Sequence, residues 1–250
     1  MQNDLLGAAQ FLTRVPVRLA GAPQLARTVV WFPVVGALIG AFVGGVAVGL
    51  GELVPTPVAA AVAVLVGVLV TGAFHEDGLA DLADAVAGGW TPERRLEILQ
   101  DPRHGTYGVA ALCGSVVVRI LAVGVLGPAA AFGGLVAAHA LARGAAVAAM
   151  GGVPLARQDG LGAGYARSVG PGRAFAGALV ALIIAAVATG WWVAALAAAA
   201  AVGALAVAWI ARRALGGITG DVLGAIEQVA ECLALVTVTG LAARHQLWWA

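Results

Sequence analysis

VVWFPVVGALIGAFVGGVAVGL, residues 29–50, runs for 22 positions without a charged side chain. As a helix it reaches about 33 Å, against about 30 Å for the hydrocarbon core of a bilayer. Six further stretches are apolar over a similar length, three of them with one charged residue each (Arg119, Arg143, Glu231): Pro57–Phe74, Tyr107–Gly127, Ala129–Met150, Ala174–Thr189, Trp191–Ala211 and, as the weakest, Val229–Ala243. Glycine and alanine crowd several of them, which suits helices that pack closely in lipid. In the opening stretch Gly36, Gly40 and Gly44 recur every fourth residue and form one such packing face. The composition agrees. The 250 residues are 61% hydrophobic and 11% charged, with mean hydropathy +0.96, where a soluble domain carries about 25% charged residues. The expected fold is all-α, a polytopic transmembrane bundle of six to seven spans forming a single integral membrane domain over residues 1–250.

The basic residues order these spans. Arg14, Arg18 and Arg27 precede the first; Arg94, Arg95 and Arg103 lie between the second and third; Arg157, Arg167 and Arg173 between the fourth and fifth; Arg212 and Arg213 follow the sixth. The intervening connections near 51–56, 128 and 190 have none. The positive-inside rule then puts the N-terminus and all the long loops in the cytoplasm. The C-terminus is outside if the last stretch spans. The N-terminal MQNDLLGAAQFLTRVPV lacks a basic segment ahead of its apolar run, so it reads as a short amphipathic helix with Leu5, Ala9 and Leu12 on one face, not as a signal peptide. A net charge of +1 without a basic tract argues against nucleic acid. Cys113 and Cys232 stand alone in apolar stretches and suggest neither a disulfide framework nor a zinc site.

With only tight turns on one side, the chemistry is expected on the other. Seven of the thirteen acids fall between residues 76 and 101. In FHEDGLADLADAVAGGW, residues 74–90, Asp77, Asp81 and Asp84 are spaced i, i+4, i+7, within an arc of roughly 60° on a helix. Aligned carboxylates repel, and a cation relieves that repulsion. Their hard oxygens suit Mg²⁺, which commonly completes its shell with water and substrate phosphates. The plain alternative, a solvated acidic face, fits poorly with Leu79, Ala80, Leu82, Ala83 and Val86 between them. His75 is a base, a ligand or an anchor of the span end. In RRLEILQDPRHGTYG, residues 94–108, Arg94 and Arg95 can pair with Glu97 and Asp101. Pro102, Gly105 and Gly108 break the helix, and Arg103, His104 and Thr106 can meet phosphate oxygens. In RRALGGITGDVLGAIEQVAE, residues 212–231, Gly216, Gly217, Thr219 and Gly220 open a helix in the manner of an anion site. Asp221, Glu227 and Glu231 make a second acidic arm possible. PLARQDGLGAGYARSVG, residues 154–170, with Arg157, Asp159 and Arg167, reads as a loop over the site. Arg119, deep in the third span, calls for an interior partner; His139 and Arg143 lie one turn apart in the fourth.

These segments, with FLTRVPV at 11–17, DGLG at 159–162 and GGITGDVLGAIEQVAE at 216–231, resemble the cobalamin synthase family of adenosylcobinamide-GDP ribazoletransferases in order and spacing over nearly the full chain. The family often has Thr where Leu82 stands, Gly at Ala85 and a β-branched aliphatic at His104. The resemblance implies a reaction. A ribose hydroxyl of α-ribazole, or of its 5′-phosphate, attacks the cobinamide-side phosphorus of adenosylcobinamide-GDP, and GMP leaves. It implies a bacterial cytoplasmic (inner) membrane location and lipid as partner, and a homo-oligomer is compatible with it. On this reading Asp77, Asp81 and Asp84 are the principal Mg²⁺ ligands, Asp221 and Glu227 a second arm, and His75 a candidate general base. Arg94, Arg95, Arg103, Arg143, Gly217, Thr219 and Gly220 are candidate phosphate or substrate contacts. Two rival readings are weaker. A CDP-alcohol phosphotransferase needs Asp where Phe74 stands, and a small permease needs polar access from both faces.

Overall fold

The computed structural model of the chain describes residues 2–157 and 161–250. Its helices are α1 (Gln2–Leu12), α2 (Leu25–Thr28), α3 (Phe32–Gly51), α4 (Thr56–Thr71), α5 (Phe74–Gly88), α6 (Pro92–Ile98), α7 (Thr106–Gly124), α8 (Pro128–Gly152), α9 (Leu161–Ser168), α10 (Pro171–Thr189), α11 (Val193–Leu215) and α12 (Gly220–Ala242). Among the described residues there is no strand, only an isolated bridge between Leu155 and Ile218. Five helical stretches are long and apolar enough to cross a membrane, or six if the bent pair α4 and α5 counts as one span. One of the five is the 45-residue stretch Pro171–Leu215. It is a hairpin. Going up α10, Ala174 meets Gly151, Ala181 meets Gly144 and the Ala188 carbonyl meets Gly133, so α10 runs antiparallel to α8. The chain reverses at Gly190, whose φ is +61°, and returns so that Gly217 lies against Pro154 at the far end of α8.

The middle of the bundle is α8 and α12, most of whose side chains are enclosed. The glycine face of α3 packs there as its spacing predicts. A Cβ on Gly36 would stand 2.5 Å from the His139 carbonyl, one on Gly40 would strike that of Leu135, and Gly44 faces Phe132. The outer helices turn large apolar side chains outward, among them Leu38, Phe42, Leu65, Leu121, Ile183 and Leu205, the surface a lipid environment favours. At one end, Trp248 and Trp249 donate their indole N–H groups to the carbonyls of Val187 and Ala188, beside exposed Trp191. Tryptophan gathers at membrane–water boundaries.

At the other end α4 stops at Gly72, and α5 leaves it at 88°. Two successive left-handed residues make this bend, Gly72 at φ +68° and Ala73 at φ +58°. The second carries a Cβ and therefore strain. The expected span Pro57–Phe74 thus ends at the bend, and α5 lies across the end of the bundle.

Charges inside the bundle pin α5 in place. Arg119 on α7 donates to Glu76 Oε1 at 2.9 Å and to Glu231 Oε1 at 3.3 Å, so it has the interior partners its depth required. Arg143 on α8 pairs with Glu227 and Glu231, and His139 lies 3.0 Å from Glu231. Gln228 donates to Glu76 and Glu227 and accepts from Ser115. Glu76, Arg119, Arg143, Glu227 and Glu231 are each at most 4% exposed. Removing one partner from such a network typically costs about 3–5 kcal/mol, because the other charge is left buried and unpaired. The same pairing explains why the last long helix begins at Gly220 and not near Val229. The Arg side chains of neighbouring helices neutralise Glu227 and Glu231, so an apparently polar stretch continues into the apolar bundle.

Candidate functional site

The acidic end of the bundle is built where α5 crosses α12. Gly78 makes the crossing possible, since a Cβ there would stand 2.7 Å from the carbonyl and 2.9 Å from the Cα of Asp221. Gly224 is the reciprocal contact, against the backbone of His75 at 3.2 Å. Two helices whose backbones touch at their first turns carry Asp77, Asp81 and Asp221 to one place, although 140 residues separate Asp81 from Asp221. Thr219 caps α12 by accepting from the Val222 N–H at 3.3 Å, and its hydroxyl donates to Asp221 Oδ2 at 3.2 Å, holding that carboxylate at the helix start.

The three aspartates share a face of α5, but they do not share partners. Asp84 accepts the Gly105 N–H at 2.6 Å and the Gly108 N–H at 2.9 Å, one on each carboxylate oxygen. It therefore anchors the 102–108 turn and the first turn of α7. Gly105 and Gly108 are glycines because any Cβ would strike the Asp84 carboxylate. The turn so held brings His104 over the other two: its Nε2 is 3.4 Å from Asp77 Oδ1 and its Nδ1 3.3 Å from Asp81 Oδ1. Oxygen and nitrogen donors of Asp77, Asp81 and His104 all lie within 4.8 Å of one another, a spacing one cation can span.

Burial, together with the charges of Asp77 and Asp221, pushes the Asp81 carboxyl up to about 7, against a smaller opposing effect of His104. A carboxylate held in this way by burial and like charge is what a divalent cation stabilises. Asp77 is the open member, with 62% of its side chain exposed. The donor chemistry fits Mg²⁺ through the carboxylates. His104 contributes nitrogen, which that ion takes less readily than oxygen.

The remaining expected residues disperse. Glu227 lies deeper in α12, within the buried charge network. His75 is 5% exposed and faces a small cavity, with Glu227 Oε2 at 3.7 Å from its Nδ1; the imidazole at the aspartates is that of His104. Arg94 pairs with Glu97 at 2.8 Å. Arg95 donates to the carbonyls of Gly89 and Ala214, tying the end of α5 to the end of α11. Arg103 is engaged with Asp101, which its hydrogen bonds hold at about 2. Arg143 sits inside the bundle on the cavity floor. Gly217 admits the backbone of Pro154–Ala156, whose strand-like bonds with Ile218 join the ends of α8 and α11. Gly220 borders the cavity. Asp159 and Gly160, in the expected loop over the site, fall outside the described residues.

Sequence reasoning missed the aromatic walls of that cavity: Phe11, Phe32, Phe74 and Tyr165. They come from four separate elements, and no spacing links them. It also missed Asp84 as an anchor, for which one signal existed. A carboxylate 21 and 24 residues before two glycines at a helix start is a pairing only tertiary structure reveals, but Gly105 and Gly108 flagged a backbone needing close approach.

A family model for cobalamin-5-phosphate synthase matches residues 4–239. Among curated proteins the chain is 38% identical to the adenosylcobinamide-GDP ribazoletransferase of Azorhizobium caulinodans, over 97% of each chain. It is 42% identical to that of Bradyrhizobium diazoefficiens, over 93% of this chain and 92% of the relative. It is 36% identical to that of Klebsiella pneumoniae, over 95% of this chain and all of the relative. No solved structure matches the chain.

Proposed function

The chain belongs to the cobalamin-5-phosphate synthase family, and we propose that it catalyses the transfer its relatives are named for, joining adenosylcobinamide-GDP to α-ribazole or its 5′-phosphate with release of GMP. We further propose that the reaction is Mg²⁺-dependent and takes place at the cytoplasmic face of a bacterial inner membrane. The observation that carries the reading is the meeting of α5 and α12, which gathers Asp77, Asp81 and Asp221 at one end of the bundle, beneath His104. The distribution of arginines supports the cytoplasmic placement of that end.

Phosphoryl transfer asks a protein for in-line positioning and for charge neutralisation, with little covalent work. Asp77, Asp81 and Asp221 are the residues that would hold the cation, and a bound cation would supply charge neutralisation to the phosphates. Thr219 keeps Asp221 aimed at the shared space. Asp84 fixes the turn that places His104 over the carboxylates. The buried charges on α7, α8 and α12 keep α5 from sliding, so the carboxylates arrive without reorganisation.

The test is direct. Purified protein in detergent, given adenosylcobinamide-GDP, α-ribazole and Mg²⁺, releases GMP, and release stops when either substrate is omitted. Vectorial uptake of a corrinoid without GMP formation would favour a permease instead.

A further inference from the structure

We propose that the aromatic cavity beside the carboxylates binds the flat heteroaromatic base of the acceptor nucleoside, the dimethylbenzimidazole of ribazole; this rests on the transferase reading above. Its place comes first. His75 on the cavity wall precedes Asp77 by two residues on α5, and Gly220 and Gly224 on the opposite wall flank Asp221 on α12. One helix crossing thus carries both the cavity and the acids. A base in the cavity leaves its ribose at the carboxylates, where the attacking hydroxyl is needed.

The walls suit a flat ring. Phe11 and Phe32 stack with centroids 5.5 Å apart and planes 9° from parallel. Tyr165 leans on both, at 4.4 Å and 5.7 Å, and Phe74 meets Phe11 edge-on at 5.2 Å. The floor suits a ring with one acceptor nitrogen. His75 Nδ1 is buried and makes no hydrogen bond; in the tautomer that protonates Nδ1 it donates to the one bare nitrogen of a benzimidazole. Arg143 and Glu227, the other polar side chains of the lining, are engaged with each other, with Glu231 and with Gln228, so guanine, the base on the donor substrate, would bring several polar edge groups to a site whose remaining walls are aromatic carbon. The cavity as it stands has about 30 Å³ of room, enough for only one or two waters. Entry of the base therefore requires one ring to give way. Tyr165 is the one on a short helix of a connecting loop, and its displacement frees the place its ring fills against Phe11 and Phe32.

The experiment uses the full chain in detergent. Binding of α-ribazole is followed by calorimetry without Mg²⁺, and KM is measured for both substrates. Tyr165→Leu and Phe32→Leu keep apolar bulk and remove aromatic faces. Each is expected to weaken α-ribazole binding by about 10-fold or more, as loss of a base-stacking partner does, while KM for adenosylcobinamide-GDP stays unchanged and the protein still unfolds in one cooperative transition, at a melting temperature lowered by the loss of ring packing. Free dimethylbenzimidazole should compete for the site and guanosine should not. Variants that unfold cooperatively and bind α-ribazole like the wild type overturn the proposal, as does competition by guanosine. A wild-type protein that binds α-ribazole yet releases no GMP refutes the transferase reading while the cavity assignment stands.

Discussion

Replacing Asp84 separates anchoring from metal binding. Its two oxygens receive the N–H groups of Gly105 and Gly108 at 2.6 and 2.9 Å, and hydrogen bonds to a charged group are worth roughly 1.5–3 kcal/mol each. The carboxylate is only half-buried, so water partly replaces what is lost. Asp84→Ala should then cost about 2–4 kcal/mol of stability. Asp84→Asn keeps one acceptor and turns its NH₂ toward the other N–H, for a loss of about 1–2 kcal/mol. Both variants loosen the turn that carries His104, and turnover falls with stability. The assay is thermal unfolding in detergent, paired with the Mg²⁺ concentration giving half-maximal GMP release. Anchoring predicts a lowered melting temperature and an unchanged Mg²⁺ requirement. If Asp84→Asn melts like the wild type and needs far more Mg²⁺, Asp84 is a ligand and the division of roles along α5 is wrong.

The other predictions are shorter. With the metal chelated, the Asp81 carboxyl is raised to about 7 in the folded protein, above the ordinary carboxylate value of 3.8; a raised carboxylate contributes stability that is complete below the unfolded pKa and is lost as pH rises through the folded one. Melting in chelator should thus be higher at pH 6 than at pH 8, an effect absent in Asp81→Asn, and Mg²⁺ affinity should weaken as pH falls below 7. Arg119→Leu strands Glu76 and Glu231 and should destabilise the protein by about 3–5 kcal/mol, whereas Arg94→Leu, an exposed pair, should shift stability by less than about 1 kcal/mol; equal losses in denaturation would contradict the buried network. Ala73→Gly relieves a left-handed residue and should stabilise by up to about 1 kcal/mol; a loss would mean that the Ala73 methyl is needed at the bend. In a cysteine-free background, Trp90→Cys, at a position 92% exposed, should label from the cytoplasmic side and Leu53→Cys from outside, and the reverse pattern would invert the orientation.

What the sequence made legible follows from local rules. The spans are runs of apolar residues, and the Gly36, Gly40 and Gly44 face is a periodicity of four; both are short-range signals and both reappear in the structure. Asp77 and Asp81 were legible as neighbours because i, i+4 spacing on a helix leaves no other outcome. What stayed hidden depended on contacts between distant segments. The Gly78 contact with Asp221 joins the arms, and the residues alone gave no register for it. Glu227 read as a metal-binding acid of the second arm because the sequence shows a charge without showing that Arg143 lies beside it. The bend at Gly72 and Ala73 was invisible for a different reason: alanine rarely adopts a positive φ, and tertiary packing overrides that preference here.

The central claim is that α5 and α12 carry one shared phosphate-handling centre. GMP release should be measured against Mg²⁺ for the wild type, Asp81→Asn, Asp221→Asn and the double variant. A shared centre predicts that each single substitution raises the Mg²⁺ requirement and that the second adds little once the first is made, since groups acting as one assembly are strongly non-additive. Losses that add independently in log rate, with the Mg²⁺ requirement moved by Asp81→Asn alone, would contradict it and leave α5 as the metal site by itself.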